Sequence, residues 1–436
     1  MSAATSPPTA AMLPHGDWRT RLPPSVVLLT VVGLLSLIPV VQLFQEQFET
    51  QFWWFDGAAA NLISILLTFL ATSILHLWFT WFSVYSLQTR RIVFYAPTVM
   101  AALACIFLRY EGVDGYMKPT FAWRWEPQPE NYIANKPTLD KVASPIVPAP
   151  EQTRDQPATA PEVLRADLLT ETPDDFAQFM GPSRNNYFPG PELSSDWKAT
   201  PPQELWRREV GPGWAGFVVR NGFAVTMEQR GEEEWVTCYA VATGEPIWHH
   251  AAPGKHHEPL GGTGPRSTPT IDDGLVYAVG ATGLLRCLRG ETGELVWQDD
   301  LLQRYHLTQV ESEERVKWGH AGSPLIVGDL VIVPAGGKGD NLRSLIAFDK
   351  KTGEVRWEAG NDQLSYASPA FATLGGVPQV LYVSERKFSG FDLHSGEELW
   401  SFPWLGYSNM NANASQGIPL GDDRVLVSKG YGNGAA

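Results

Sequence analysis

The apolar positions follow two patterns along the chain. Before about residue 110 they form long unbroken stretches. Beyond about residue 200 they come in runs of three to five, bounded by Gly, Asp and Pro. Ser25–Phe44 carries no charge and is long enough to cross a bilayer. Two more stretches follow at 58–82 and 92–108, so three transmembrane helices are predicted within 25–108, behind a leader at 1–24. A cleaved signal peptide accounts poorly for this region, since neither a small-x-small site nor a lipobox Cys follows the first stretch. Arg19, Arg21, Arg90 and Arg91 flank the spans on one side, whereas the first loop has no Lys or Arg. The positive-inside bias then predicts a cytoplasmic N-terminus and a third helix that exits on the far side. Phe52-Trp53-Trp54-Phe55 and Trp78, Trp81, Tyr85 bracket the second span as aromatic belts. His76, inside that span, reads as a neutral ring facing a helix or the interface, with a functional role as the rival.

An aromatic segment, YEGVDGYMKPTFAWRWE (110–126), follows the third span, and either lies against the headgroups or docks on the later domain. Residues 127–170 are rich in Pro, Ala and Thr and predict an extended linker. The exit segment and linker together occupy 109–174.

The short-run region is organised by a phrase that recurs four times: TGEPIW (Thr243–Trp248), TGELVW (Thr292–Trp297), TGEVRW (Thr352–Trp357) and SGEELW (Ser395–Trp400). Successive Trp residues stand 49, 60 and 43 positions apart, a period typical of propellers and solenoids. Nine residues before each Trp is a large apolar residue (Tyr239, Leu288, Phe348, Phe391), and one position earlier a small one (Cys238, Cys287, Ala347, Gly390). Gly244, Gly293, Gly353 and Gly396 supply tight turns, and Trp248, Trp297, Trp357 and Trp400 fill the space between neighbouring sheets. Thr268-Pro269, Ser323-Pro324 and Ser368-Pro369 open three units and place Pro where a missing N–H is tolerated. Each unit reads as a small antiparallel sheet, a β-propeller blade.

The D-x-x-TG-x-x-x-W phrase, complete at Asp349–Trp357, resembles the pyrroloquinoline-quinone (PQQ)-like repeat. Thr226–Tyr239, Gly261–Ile271, Trp318–Leu325 and Ser365–Pro369 look more specifically like membrane-tethered, planctomycete-type members. The resemblance covers about 175–436. It implies an all-β propeller, related in fold to an outer-membrane assembly lipoprotein and to quinoprotein alcohol dehydrogenases, and a periplasmic location at the inner (cytoplasmic) membrane. The family fold closes with about seven or eight blades. Four blades end at the four Trp residues and a fifth begins near Asn411, so about four and a half are expected, from a truncation, a gene fragment or a two-chain assembly. Leu205-Trp206 reads as a blade-ending strand that completes the last blade. Enzymatic relatives need a flat cavity, calcium held by carboxylate and amide oxygens, and a general-base Asp, commonly with a vicinal Cys pair. This chain has no Cys-Cys step.

Net charge is −14 with no basic run, which argues against nucleic-acid binding. Cys105 lies in an apolar span, while Cys238 and Cys287 share the small-residue column; no CxxC spacing exists. His249–His257 (HHAAPGKHH) reads as a solvated loop rather than a metal site. Aligning the blades puts Trp214, Arg266, His320, Tyr366 and Asn413 in a ring at the channel mouth, with Glu228, Gln229 and Arg230 approaching it. Such a set suits an anionic or polar ligand; the rival reading has these groups hydrogen-bonding loop carbonyls and bridging blades. The expected role is non-catalytic, a scaffold for a protein or envelope ligand with no cofactor. A PQQ- and calcium-dependent oxidoreductase comes second, and a ligand sensor coupled to the helices third.

Overall fold

A computed structural model describes residues 22–44, 57–113, 118–126, 165–188, 190, 193–258, 261–407, 411–430 and 433–436. The leader with Arg19 and Arg21, the Phe52–Phe55 cluster and 127–164 of the predicted linker lie outside them. The chain divides into two units, Met1–Glu126 and Pro127–Ala436.

Among the described residues the first unit holds three helices, α1 (Ser25–Leu43), α2 (Gly57–Phe82) and α3 (Leu87–Phe107), each long and apolar enough to cross a membrane. Gln42 on α1 donates to Asn61 and Ser64 on α2 at 3.2 and 3.0 Å. Helix α3 starts at Leu87, five residues before the predicted 92, because Ser86 caps it by accepting from the Thr89 N–H. The charged first turn has its own task. Arg90 donates to the carbonyls of Thr80 and Trp81, both at 2.6 Å, covering the exposed C-terminal end of α2. The His76 ring stacks on Phe94 with centroids 6.3 Å apart. Helix α3 runs directly into a hairpin, β1 (Leu108–Val113) and β2 (Pro119–Trp123).

Among the described residues the second unit contains four antiparallel four-stranded sheets, each in simple up-and-down order. Blade one is β3 (Val218–Arg220), β4 (Phe223–Arg230), β5 (Glu233–Ala240) and β6 (Pro246–Pro253). A short pair, β7 (His257–Glu258) and β8 (Gly262–Thr263), precedes blade two: β9 (Thr270–Asp272), β10 (Leu275–Val279), β11 (Leu284–Arg289) and β12 (Leu295–Asp300). Blade three is β13 (Leu325–Val327), β14 (Leu330–Gly336), β15 (Arg343–Asp349) and β16 (Val355–Ala359). Blade four is β17 (Ala370–Leu374), β18 (Val377–Val383), β19 (Lys387–Asp392) and β20 (Glu398–Pro403). Two short pairs follow, at 418–426 and 428–435. The 60-residue spacing between the second and third Trp is an insertion of two short helices, α4 (Leu301–Arg304) and α5 (Gln309–Arg315).

Strand β10 lies between two other blades, so both its faces are covered and its run, LVYAV, is apolar throughout. In β10, Val276 and Ala278 join a cluster with Val225, Val236 and Trp248 of blade one. The intervening Tyr277 and Val279 join Val331, Val333 and Phe348 of blade three. The two-residue period of a strand thus splits one run between two cores.

The repeated phrase has a single mechanical meaning. The glycine of each turn sits at φ +70 to +75° (Gly244, Gly293, Gly353, Gly396), and at Gly293, Gly353 and Gly396 the Trp of the preceding blade lies against it. A Cβ on Gly293 would meet Trp248 at 2.6 Å, on Gly353 Trp297 at 2.7 Å, and on Gly396 Trp357 at 2.8 Å. Each indole N–H donates to the carbonyl three residues before its glycine: Trp248 to Gly290 (2.8 Å), Trp297 to Lys350 (3.0 Å), Trp357 to Leu393 (3.0 Å). The small column is explained too. Cys238, Cys287, Ala347 and Gly390 pair directly across from Trp248, Trp297, Trp357 and Trp400, and a bulge follows each one. Asp349 opens the turn by accepting from the Lys351 and Thr352 N–H groups, and Arg356 beside it holds its carboxyl down to about 2.

Three readings need correction. Residues 201–217 contain no strand, so Leu205-Trp206 does not form one; Trp206 nevertheless docks on Gly244 and donates to Val241 at 2.7 Å, as the blade tryptophans do. The linker ends earlier than 174. Ala166 and Leu168 are buried in the core between blades one and two, with the Ala166 N–H bonded to the Glu291 carbonyl. His249 and His250 lie in β6 and His257 in β7, while His256 is buried, so HHAAPGKHH is mostly strand rather than a solvated loop.

Two glycines separate the clash from the backbone strain. Gly328 (φ +58°) has open space around a Cβ, whereas Gly353 (φ +74°) does not. Gly328→Ala should cost about 1 kcal/mol in denaturant unfolding, for positive φ alone. Gly353→Ala should cost at least twice that, because Trp297 must move. Equal losses would contradict the docking role.

Candidate functional site

The Ser/Thr-Pro steps set the register around the propeller axis. The Gly216 N–H donates to Thr268 Oγ1 (2.9 Å), the Thr268 N–H to Ser323 Oγ (3.0 Å), and the Ser323 N–H to Ser368 Oγ (2.9 Å). Each hydroxyl therefore accepts from the equivalent residue one blade earlier, forming a belt across four blades. Two positions before each belt residue stand Trp214, Arg266, Ala321 and Tyr366.

Most of the predicted mouth residues meet in one connected arc. Trp214 donates its indole N–H to the Gly261 carbonyl, which also accepts from Arg266 Nη1 at 2.6 Å. Arg266 Nη2 donates to Gly262 (2.8 Å) and Nε to the Trp318 carbonyl (3.1 Å), so one guanidinium bridges blades two and three. The Trp318 ring packs on Tyr366 at 4.9 Å, and the Tyr366 N–H donates to the Asn413 carbonyl at 3.0 Å. Asn413 Nδ2 reaches the carbonyls of Ser384, Glu385 and Trp404 at 2.8–3.0 Å. Burial pushes the Tyr366 hydroxyl up to about 12 and lowers the Arg266 guanidinium.

His320 is set back from this arc, one residue before the belt register. It is buried, its N–H donates to the Ala281 carbonyl (2.9 Å), and its Nε2 lies 3.4 Å from Ser312 Oγ. Trp318, five residues before Ser323 and outside that register, supplies the blade-three contacts of the arc through its carbonyl to Arg266 and its ring to Tyr366.

Glu228 and Arg230 form a separate group in blade one. Glu228 is buried and accepts from Arg230 (2.8 Å), Thr237 (2.7 Å), Tyr239 (2.7 Å) and the Gly211 N–H (2.5 Å). Arg230 also lies over the Trp235 ring at 5.5 Å, and Gln229 donates to three backbone carbonyls.

Sequence reasoning missed the segment that ties the inner strands together. Phe176 pairs with Val219 on β3, and the Ala177 carbonyl accepts from the Ile271 N–H on β9 (2.8 Å). Arg184 is buried, donates to the Pro324 carbonyl at 3.0 Å, and presents its own carbonyl to Gln416 at 2.8 Å. One stretch thus crosses the inner edges of blades one, two and three. Burial alone lowers the Arg184 guanidinium to about 10. No repeat marks this segment, because its contacts are single main-chain bonds and one arginine.

Among the described residues no group of three or more His, Cys, Asp or Glu is placed to hold a metal ion. Glu228 already accepts from four protein donors, and Glu258 is turned onto the Gly261 N–H at 2.7 Å. Cys238 and Cys287 are buried free thiols in separate blades.

Blades, belt and mouth define the second unit as a propeller of PQQ-like blades. Residues 232–436 match the family described as outer membrane protein assembly factor BamB. No curated protein matches the chain. Among solved structures, BamB from Moraxella catarrhalis is 15% identical, with 52% of this chain and 70% of that chain covered and a TM-score of 0.34. The quinohemoprotein alcohol dehydrogenase from Comamonas testosteroni is 14% identical, covering 60% and 47%, with a TM-score of 0.39. A europium-containing methanol dehydrogenase is 12% identical, covering 50% and 47%, with a TM-score of 0.37. The chain spans about half the length of these two dehydrogenases.

The buried histidine gives a pH prediction. Burial, with His256 nearby, lowers His320 to about 4. The unfolded chain, with a His pKa near ~6.5, binds the proton first as pH falls. Stability is therefore full above about pH 6.5 and declines towards pH 4, by about 2 kcal/mol between pH 8 and pH 5. Denaturant unfolding of His320→Gln should show a shallower decline; an unchanged slope would contradict the assignment.

Proposed function

We propose that the chain is a membrane-anchored, non-catalytic binding module whose propeller presents its mouth to a protein partner or envelope ligand. One observation carries this reading: the polar side chains at the mouth are engaged with main-chain carbonyls, while Trp214 beside them is 68% exposed. Groups that hold loops rigid give up little freedom on binding, and exposed Trp beside Arg is the composition of interface anchors. The match to an assembly-factor family favours a protein partner. The three apolar helices supply the anchor, with the N-terminus cytoplasmic and the propeller in the periplasm at the inner membrane. The PQQ- and calcium-dependent oxidoreductase stands second because carboxylates near the channel are already occupied by protein donors. The sensor would need a ligand to displace Arg266 from three carbonyls.

Photo-crosslinking in native membranes tests the proposal. A photoreactive residue at Trp214 should yield a discrete partner adduct. The same residue at Val377, in the β17–β18 turn region at the other end of the blades, should not. Trp214→Ala should weaken capture by tenfold or more without shifting the unfolding midpoint. Equal adducts at both positions, or none at Trp214, would overturn the reading.

A further inference from the structure

We propose that the hairpin after the third helix is a membrane-interface anchor, seating one aromatic face among the lipid headgroups of the leaflet where α3 ends. Its register divides the side chains cleanly. Leu108 pairs with Trp123 and Tyr110 with Phe121, so these four share one face; Arg109 and Ala122, paired between them, share the other. The Tyr110 and Phe121 rings meet edge to face at 5.9 Å. Trp125 extends the strip, stacking on Trp123 at 5.0 Å and touching Phe107 edge-on at 6.0 Å.

This strip is not core. Tyr110, Phe121, Trp123 and Trp125 are 50–66% exposed and Phe107 is 44% exposed. Two arginine contacts fix it to the helix: the Arg124 N–H donates to the Phe107 carbonyl (2.9 Å), and Arg124 Nε to the Cys105 carbonyl (2.7 Å). The occupant follows from continuity. Phe107 is the last residue of a helix whose surface faces lipid, and its ring belongs to the same strip, so the medium that covers α3 also covers the hairpin face. The depth follows from the backbone. A two-stranded hairpin leaves main-chain N–H and C=O groups unpaired along both edges, which hydrocarbon does not tolerate and headgroup water satisfies. Trp and Tyr, apolar with a polar tip, prefer that same level.

The proposal rests on the helices crossing a bilayer, and the test separates the two claims. Full-length protein carrying Cys105→Ser is placed in lipid nanodiscs; Cys238 and Cys287 are buried and do not label. Nitroxides are introduced singly through Phe69→Cys on α2, Phe121→Cys on the aromatic face and Thr120→Cys on the opposite face. Collisions with oxygen report lipid and collisions with a water-soluble nickel chelate report water. The expected result is oxygen-rich, nickel-poor relaxation at 69 and 121, shallower at 121, and nickel-rich relaxation at 120. A label at 121 shielded from both reagents means that protein covers the face, and overturns the proposal. Nickel-rich relaxation at 121 with a lipid signature at 69 overturns the hairpin claim alone. Nickel-rich relaxation at 69 overturns the membrane reading and the proposal with it.

Discussion

The tryptophan lying on the neighbouring blade's glycine is the contact on which the rest of the propeller depends. It joins one blade to the next through three linked requirements: a positive-φ glycine, a flat indole above it, and a carbonyl three residues back to take the indole N–H. A fourth lies across the strand, where only Cys, Ala or Gly leaves room for the Trp. These demands explain why the phrase recurs almost unchanged while the loops around it vary. Such packing is an area effect as well as a hydrogen bond, and each buried Trp also closes the apolar cluster between two sheets.

A second set of links runs around the axis. The Thr268, Ser323 and Ser368 hydroxyls tie each inner strand to the blade before it. Segment 176–184 then crosses the inner edges, with Arg184 donating to the carbonyl of Pro324. Outer docks and inner belt together hold the mouth loops in place, and Arg266 and Asn413 complete that frame from above. The result is a rigid rim with an exposed aromatic rather than a set of free polar groups around a cavity.

The blade architecture was legible because its constraint is written in side chains at constant offsets. Gly353 and Trp297 occupy columns that hold one residue type throughout, and Ala347 one that holds only small residues. At the mouth, Trp214, Arg266 and Tyr366 stand two residues before their belt positions, whereas His320 stands three before Ser323 and is buried behind them. What stayed hidden is what the main chain does. Ala166 and Leu168 dock on the turn at Gly290 and Glu291, and Ala177 bonds through its carbonyl, so no periodicity announces them. The histidine run was misread for a related reason. Strand β6 extends five residues past Trp248, and a run of His, Ala and Pro carries weak strand signals.

The account stands or falls on the polar groups of the channel being engaged by the protein itself. Its most direct test is thermal unfolding of the full chain in nanodiscs with and without PQQ plus calcium. A ligand that binds the native state at a hundred times its Kd adds about 2.7 kcal/mol, which shifts the midpoint visibly. The prediction is an unchanged midpoint at saturating cofactor. A clear upward shift would contradict it and place the chain with the cofactor-binding propellers.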